Sequence, residues 1–595
     1  MAQKAPVLFG GFDGVDPDGS GLTSAYRVPR DGRYEVLGIH GFGQVLGHAV
    51  ATPTDVAAVL RDRAEDPELI GASLRGALTL VLRDSSTGHR LLLADPFGGG
   101  IVFMWRDARR WCASSSLPTL VAFLSGHGVR LRKSLGYAAA VGLIGNGGLF
   151  PAPYEDVEVL PQFSYLRQVA GRFEIHRYST RGEFFTVRRD DAAHYRHMLE
   201  AVADDVVTNI DIYSRYPAAD YISHLTGGLD SRTILAGLTR TEHLDKYSLF
   251  TSGPDYTPDV MVARQVASHF DLRVTDHSGL NVSIAPSSAA QAELWAMFET
   301  GGVLPGPAHS GMTGPPDSVV LSGGYSLLRS YYGAEFDSHA PRADRERWLV
   351  DAMLGMASPY RKNFDGGLFA ASVVERVHAM AQDILNEVDD LELPADTLPD
   401  HAFFRLRSRY YTGEIQRSLS SFVHRGDALY SKNLLSLAYS APRAQRIDNF
   451  VQLDLIRQLN EELMLLPYDA PRITESYRRA RPSLPPETLP VQRATRRRHT
   501  LRLQGAHPMG TKSPRPTAAQ EAEAQRISAP VRLVLGAEAS QQGLRQAIDS
   551  LGEDALKATF NVPQLRRLAE VKPRSRPLYR SLNTLNTTVT WFLES

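Results

Sequence analysis

Cysteine is almost missing from this chain: among 595 residues there is one, Cys112. A single thiol cannot close an internal disulfide and cannot build a cysteine-based zinc or iron–sulfur centre. Long apolar runs are missing too. None approaches the roughly 20 residues that a helix needs to cross a bilayer, and the opening "MAQKAPVLFGGFDG" lacks the apolar stretch of a secretory signal. These absences predict a cytoplasmic chain without membrane insertion. Neither sign of charge is in excess, since 65 Lys and Arg stand against 66 Asp and Glu, which gives no overall pull toward nucleic acid. The histidines show no HExxH or other ligand spacing, which argues against a zinc site, and no internal repeat is visible.

What is present is enough chain for two or three domains. The first part is rich in short β-type runs broken by Gly, Pro and Asp. In "GALTLVLRDSSTGHRLLLADPFG" two apolar runs flank "DSSTGH", and the Asp, Ser and Gly of that link predict a hairpin. Cys112 lies in another such run, "IVFMWRDARRWCASSS", as a buried structural thiol. From about Asp190 the texture changes. "DDAAHYRHMLEAVADDVVTNI" predicts a helix with an acidic start, and the strand-like "YISHLT", "KYSLFT", "LRVTDH" and "SVVLSG" alternate with helical stretches, the pattern of a parallel sheet with crossover helices. After about residue 345 helices dominate. Near "PRITESYRRARPSLPPETLP" the composition turns to Pro and Arg, which reads as a solvated or mobile loop, with a lid over an anionic ligand or a nucleic-acid contact as the alternatives.

The chemistry concentrates in "LTGGLDSR", Leu225 to Arg232, between a buried strand and a helix start. Paired glycines let backbone N–H groups approach an anion, and a helix N-terminus adds unpaired donors with a favourable dipole. Hydroxyls of Thr226 and Ser231 can donate to phosphate oxygens. Asp230 repels an anion unless a divalent cation stands between them, which points to Mg²⁺. The loop lacks the GK[ST] ending of a Walker A sequence.

This octapeptide resembles the SGGxDS pyrophosphate loop of the ATP pyrophosphatases, with Thr226 where Ser is usual, and its flanks resemble the asparagine synthetase branch. The resemblance runs over roughly residues 70 to 465. It implies an α/β protein: an N-terminal class II glutaminase-like (Ntn-type) sandwich domain, residues 1–185; a C-terminal doubly wound parallel-sheet ATP pyrophosphatase domain, residues 186–470; and a Pro/Arg-rich segment with a helical extension, residues 471–595. It also implies that Leu225, Thr226, Gly227, Gly228, Leu229, Asp230 and Ser231 hold the triphosphate of ATP with Mg²⁺ on Asp230. Leu249, Phe250 and Thr251 would face adenine, and Ser322 and Gly323 would reach the ribose.

The departures from the family pattern matter as much. Residue 2 is Ala2 where the glutaminases have their nucleophilic Cys, and an alanine cannot form the thioester intermediate. In "VVLSGGYSLLRSYYG", Leu327 and Leu328 stand where the family's second carboxylates are expected, followed by Arg329. In "GDALYSKNLLSLAYSAP", Tyr430 and Ser431 replace the closing pair of the family's P-F-L-D segment. A late cation for the α-phosphate is expected at Lys512 or Lys432, and Glu414, beside Tyr410 and Tyr411, is a candidate acid–base group.

The resulting expectation is an ATP-dependent ligase that activates a carboxylate with release of pyrophosphate and lets an amine displace AMP. The carboxylate/amine substrate belongs to natural-product biosynthesis, as in lasso-peptide cyclisation of a precursor peptide supplied by its peptidase. The alternatives are an ammonia- or partner-fed amidotransferase and a nucleotide-binding scaffold without turnover.

Overall fold

The structure is a computed structural model describing residues 7–11, 32–63, 65–144, 148–150, 152–169, 172–189, 191–251, 257–276, 317–325, 327–330, 335–355, 367–413, 417, 420, 423–485, 501–502, 516–529 and 531–593. Its N-terminal part is antiparallel. The strands are β1 (Leu8–Gly11), β2 (Tyr34–His40), a small hairpin of β3 (Gly43–Val45) and β4 (His48–Val50), β5 (Thr79–Asp84), β6 (Arg90–Ala94), β7 (Phe103–Arg106), β8 (Trp111–Ser114), β9 (Glu158–Val159), β10 (Ser164–Val169) and β11 (Arg172–Arg177). They form a four-stranded sheet, β1-β8-β7-β9, and a five-stranded sheet, β11-β10-β6-β5-β2.

The predicted hairpin is β5–β6, with Thr79 opposite Ala94 and Arg83 opposite Arg90. Its turn is held as the residue types foretell: the Asp84 carboxylate accepts from the N–H (2.9 Å) and O–H (2.6 Å) of Ser86. The continuous apolar run of these strands also has a cause, because both faces are covered. Val81, Leu92 and Ala94 meet Phe9, Met104 and Ala113 of the other sheet. Leu80, Leu82, Leu91 and Leu93 face the opposite way, into a core shared with the helices α1 (Pro53–Leu60) and α2 (Pro67–Ser73). Cys112 faces outward from the four-stranded sheet onto α3 (Leu117–Gly126). The two sheets are therefore a sandwich with helices outside it. Helix α4 (Leu135–Ile144) is apolar on all sides because it lies between this core and the C-terminal helices.

A long helix, α5 (Ala192–Arg215), opens the second part, where the four expected strands are found, β12 (Tyr221–His224), β13 (Tyr247–Phe250), β14 (Arg273–Asp276) and β15 (Val319–Ser322), joined by two that the sequence pattern does not announce, β16 (His424–Asp427) and the two-residue β17 (Leu501–Arg502). All pairings are parallel, in the order β16-β15-β12-β13-β14-β17. Helices α6 (Leu229–Leu238) and α7 (Pro258–His269) carry the chain from β12 to β13 to β14. The chain then returns past β12 to form β15, so the strand order reverses between β12 and β15. That return connection, residues 277–316, falls outside the described residues.

The two parts meet at the "DPFGG" turn after β6. Asp95 accepts from the N–H of Gly99 (3.1 Å), from Gly100 and from the O–H of Tyr430 (3.0 Å), while Phe97 donates its N–H to the Tyr430 oxygen (2.8 Å) and stacks on that ring at 4.3 Å. Tyr430, which departs from the family pattern, is thus a buried tie between the two halves. Burial pushes the Asp95 carboxyl up to about 6, against the pull of these donors. Residues 404–413 form a π-helical stretch that nothing in the sequence reading anticipated.

Candidate functional site

In an open parallel sheet the crevice for a ligand lies at the carboxyl ends of the strands, where the strand order reverses. Here that point falls between β12 and β15, and the two sequence signatures sit on either side of it: the glycine loop follows β12, and Ser322–Gly323 closes β15. They touch. A Cβ on Gly323 would stand 3.2 Å from the Cβ of Asp230.

The glycine loop turns tightly into α6, whose N-cap is Gly228 without a side-chain cap. A Cβ on Gly227 would lie 2.5 Å from the Asp469 Cβ, so this position excludes any other side chain as long as residues 466–472 stay in place. That segment is fixed by Arg232. Its guanidinium, fully buried, donates to the carbonyls of Leu463 (3.3 Å), Leu466 (2.9 Å) and Pro467 (2.6 Å) and lies 3.8 Å over the Tyr468 ring. The Asp469 N–H in turn donates to the Gly227 carbonyl (3.1 Å), and Arg472 holds the Asp469 carboxylate with two nitrogens. The stretch from Pro471 onward, expected to be a solvated loop, is packed at its start: Tyr477 is buried and donates to Asp454 at 2.8 Å, next to the partly buried Tyr468 on the main core.

The loop amides are engaged from within the chain. Thr226 N–H donates to the Ser231 hydroxyl (2.9 Å), Gly227 N–H to Asp259 (2.5 Å) and Gly228 N–H to the Thr226 hydroxyl (3.2 Å). Burial, reinforced by the neighbouring Asp469 carboxylate, holds Asp259 above the usual carboxylate range, although the Gly227 amide opposes this. Asp230 sits in the first turn of α6, where the helix dipole favours a negative charge. Its carboxylate accepts from Gln452 (2.8 Å) and pairs with Arg329 (3.4 Å).

The structure brings together Leu225 to Ser231, Ser322 and Gly323 around the strand reversal. Leu249, Phe250 and Thr251 lie at the carboxyl end of neighbouring β13, with Leu249 buried and Phe250 half-buried against His224, ring centroids 5.0 Å apart. The buried hydroxyls of Thr251 and Ser223 find no hydrogen-bond partner among the described residues. Leu327 and Leu328 are buried in the main core and offer no carboxylate; the next residue, Arg329, brings a cation to Asp230 instead.

Lys432 is drawn elsewhere, into an ion pair with Glu183, its ammonium over the Phe184 ring. Tyr410 is a core side chain beside Cys112. Lys512 and Glu414 lie outside the described residues. Gln452 and Asp469 were not singled out in the sequence, since each meets the loop only across more than 200 positions of chain, and Arg472 acts on the loop through Asp469.

As to the groups the resemblance implies, a helix N-terminus without a side-chain cap, flanking hydroxyls and buried hydroxyls lacking partners fit a nucleotide. Asp230 with Thr226 and Ser231 fits a Mg²⁺ that takes its other oxygens from phosphates and water. No group of three or more His, Cys, Asp or Glu arranged to hold a metal ion occurs among the described residues. No known protein-family model matches this chain, and no curated protein is significantly similar to it.

Proposed function

We propose that this chain is an ATP- and Mg²⁺-dependent ligase that transfers AMP to a substrate carboxylate with release of pyrophosphate and then lets an amine displace AMP to form an amide. The observation that carries this reading is the meeting of Asp230 and Gly323 at the strand reversal, where two phosphate- and ribose-type signatures distant in sequence share one crevice. The reading also draws on the resemblance of "LTGGLDSR" to the pyrophosphate loop of asparagine synthetases, and of the N-terminal sandwich to their glutaminase domain, here acting as a scaffold.

In this reading the Thr226 and Ser231 hydroxyls turn from their mutual contact (3.1 Å) toward phosphate oxygens, which frees the amides they occupy. Asp259 must release the Gly227 N–H for the same reason. Mg²⁺ would supply charge neutralisation on the phosphates, held by Asp230. Arg329 adds a second cation where the family has a carboxylate, placed to offset charge that builds on the departing pyrophosphate. The amine belongs to the substrate, in keeping with Ala2, and a lasso-type precursor peptide is the substrate class favoured.

A second reading, a nucleotide-binding scaffold without turnover, is favoured by one observation: all three loop amides are already satisfied internally. Incubation with Mg²⁺ and ATP, with a candidate peptide or with ammonium added, separates the two. AMP and pyrophosphate are the products expected of the ligase; ADP contradicts it, and binding without hydrolysis under every condition supports the scaffold.

A further inference from the structure

Parallel register and strand alternation place Ile222, His224, Phe250, Val320, Ser322 and Arg425 on one face of the parallel sheet. Arg425 stands out there. It is buried, its Nε donates to the Ser322 hydroxyl at 3.3 Å, and its Nη1 has no hydrogen-bond partner among the described residues. Asp427, two residues on, accepts from the N–H groups of Tyr325 (3.0 Å) and Leu429 (3.1 Å) and reaches Arg425 only through its field. Burial lowers the Arg425 guanidinium to about 10, which leaves it a cation at neutral pH.

Two other buried arginines are more fully engaged. Arg446 pairs with Asp400 (2.9 Å) and donates to the carbonyls of Ala441 and Asp396; Arg232 donates to three carbonyls. A buried charge is expensive unless paired; among the described residues Arg425 is hydrogen-bonded to a neutral hydroxyl alone, with Asp427 on the same face acting through its field. Its place is also informative: Ser322 precedes Gly323, which lies against Asp230. The half-buried Phe250 and His224 stack borders the same face.

We propose that Arg425, with the Ser322 hydroxyl, binds a carboxylate of the acyl substrate at the crevice, the missing counter-anion being the ligand. That this carboxylate belongs to an acyl substrate rests on the ligase reading; that the site takes a carboxylate does not.

The test uses the full chain and Arg425→Met, which keeps the length and apolar body of the side chain, with Arg425→Lys and Arg329→Met as companions. Succinate and inorganic phosphate are titrated by calorimetry, and thermal midpoints are recorded. Succinate binding should weaken at least about ten-fold in Arg425→Met and recover in part in Arg425→Lys, with phosphate binding unchanged by either and reduced by Arg329→Met. The Arg425→Met midpoint should hold or rise, because an unpaired buried charge has been removed. The inference fails if the intact protein ignores succinate at about 50 mM, if Arg425→Met binds it equally well, if phosphate rather than succinate is lost, or if the midpoint drops as it would for a structural arginine. Mg²⁺–ATP binding on the same samples keeps the readings apart: succinate binding lost with Arg425 while no nucleotide binds would sink the ligase and leave the carboxylate site standing.

Discussion

In the proposed reading, Asp259 governs how the glycine loop meets an anion. Its carboxylate occupies the Gly227 amide that a phosphate would use, and like charges repel at this range by an amount worth several-fold in affinity. Asp259→Asn should therefore tighten pyrophosphate binding without Mg²⁺ by about three- to ten-fold, measured by calorimetry; unchanged or weaker binding would mean that Asp259 does not gate the loop. Asp95 supplies a pH signature. Its folded-state value, about 6, lies above the ordinary 3.8, so the native chain holds this proton more tightly than the unfolded chain. Stability from Asp95 is thus greatest below about pH 4 and falls as pH rises to about 6, by up to about 3 kcal/mol. Asp95→Asn should flatten that part of the thermal-midpoint profile against pH, and a profile parallel to that of the unaltered protein would contradict the assignment. The residue types at the loop were legible in the sequence because each answers a local demand: glycine for close approach, hydroxyls and a helix start for an anion. Asp230's partners Arg329 and Gln452 were not, since 99 and 222 positions separate them from it and no local pattern encodes such pairings.

At the scale of elements, the loop is only as good as the segment that backs it. Arg232→Met would leave the carbonyls of Leu463, Leu466 and Pro467 without their donor, each costing about 1–3 kcal/mol if it stays buried. Residues 466–472 should loosen, and nucleotide binding should weaken together with stability; proteolysis near Arg472 reads the first and calorimetry the second, and a variant with intact binding would show the segment to be dispensable. The β5–β6 hairpin and strands β12 to β15 of the parallel sheet were legible because turn chemistry and apolar runs are local, whereas β16, "HRGD", carries no such run. The π-helical stretch at 404–413 was not, because "FRLRSRYYTG" carries an ordinary helical pattern; its first residue, Phe404, packs among Phe97, Phe163 and Phe185.

Across the whole molecule, one core runs from Tyr34 to Leu484, joining the antiparallel and parallel sheets, while a second unites α4 with helices between residues 518 and 593. The second docks through Gly142, where a Cβ would come 2.7 Å from the Leu585 Cα. Gly142→Val should force these helices apart, lower the midpoint and expose the C-terminal helices to protease; resistance equal to the original would show that α4 adapts. The passage from a sheet-rich first part to a parallel sheet with crossover helices was readable from the change in texture near Asp190. The docking of the last helices was not, because α4 reads as a plain apolar run, and only the fold says what covers each side.

The central claim is that ATP binds with Mg²⁺ at the strand reversal, and calorimetry of Mg²⁺ with a non-hydrolysable ATP analogue, on the intact chain and on Asp230→Asn, tests it most directly. The account predicts Mg²⁺-dependent binding to the intact chain that is at least about ten-fold weaker in the variant. Binding that ignores Mg²⁺ and survives the substitution, or no binding to either protein, would contradict it.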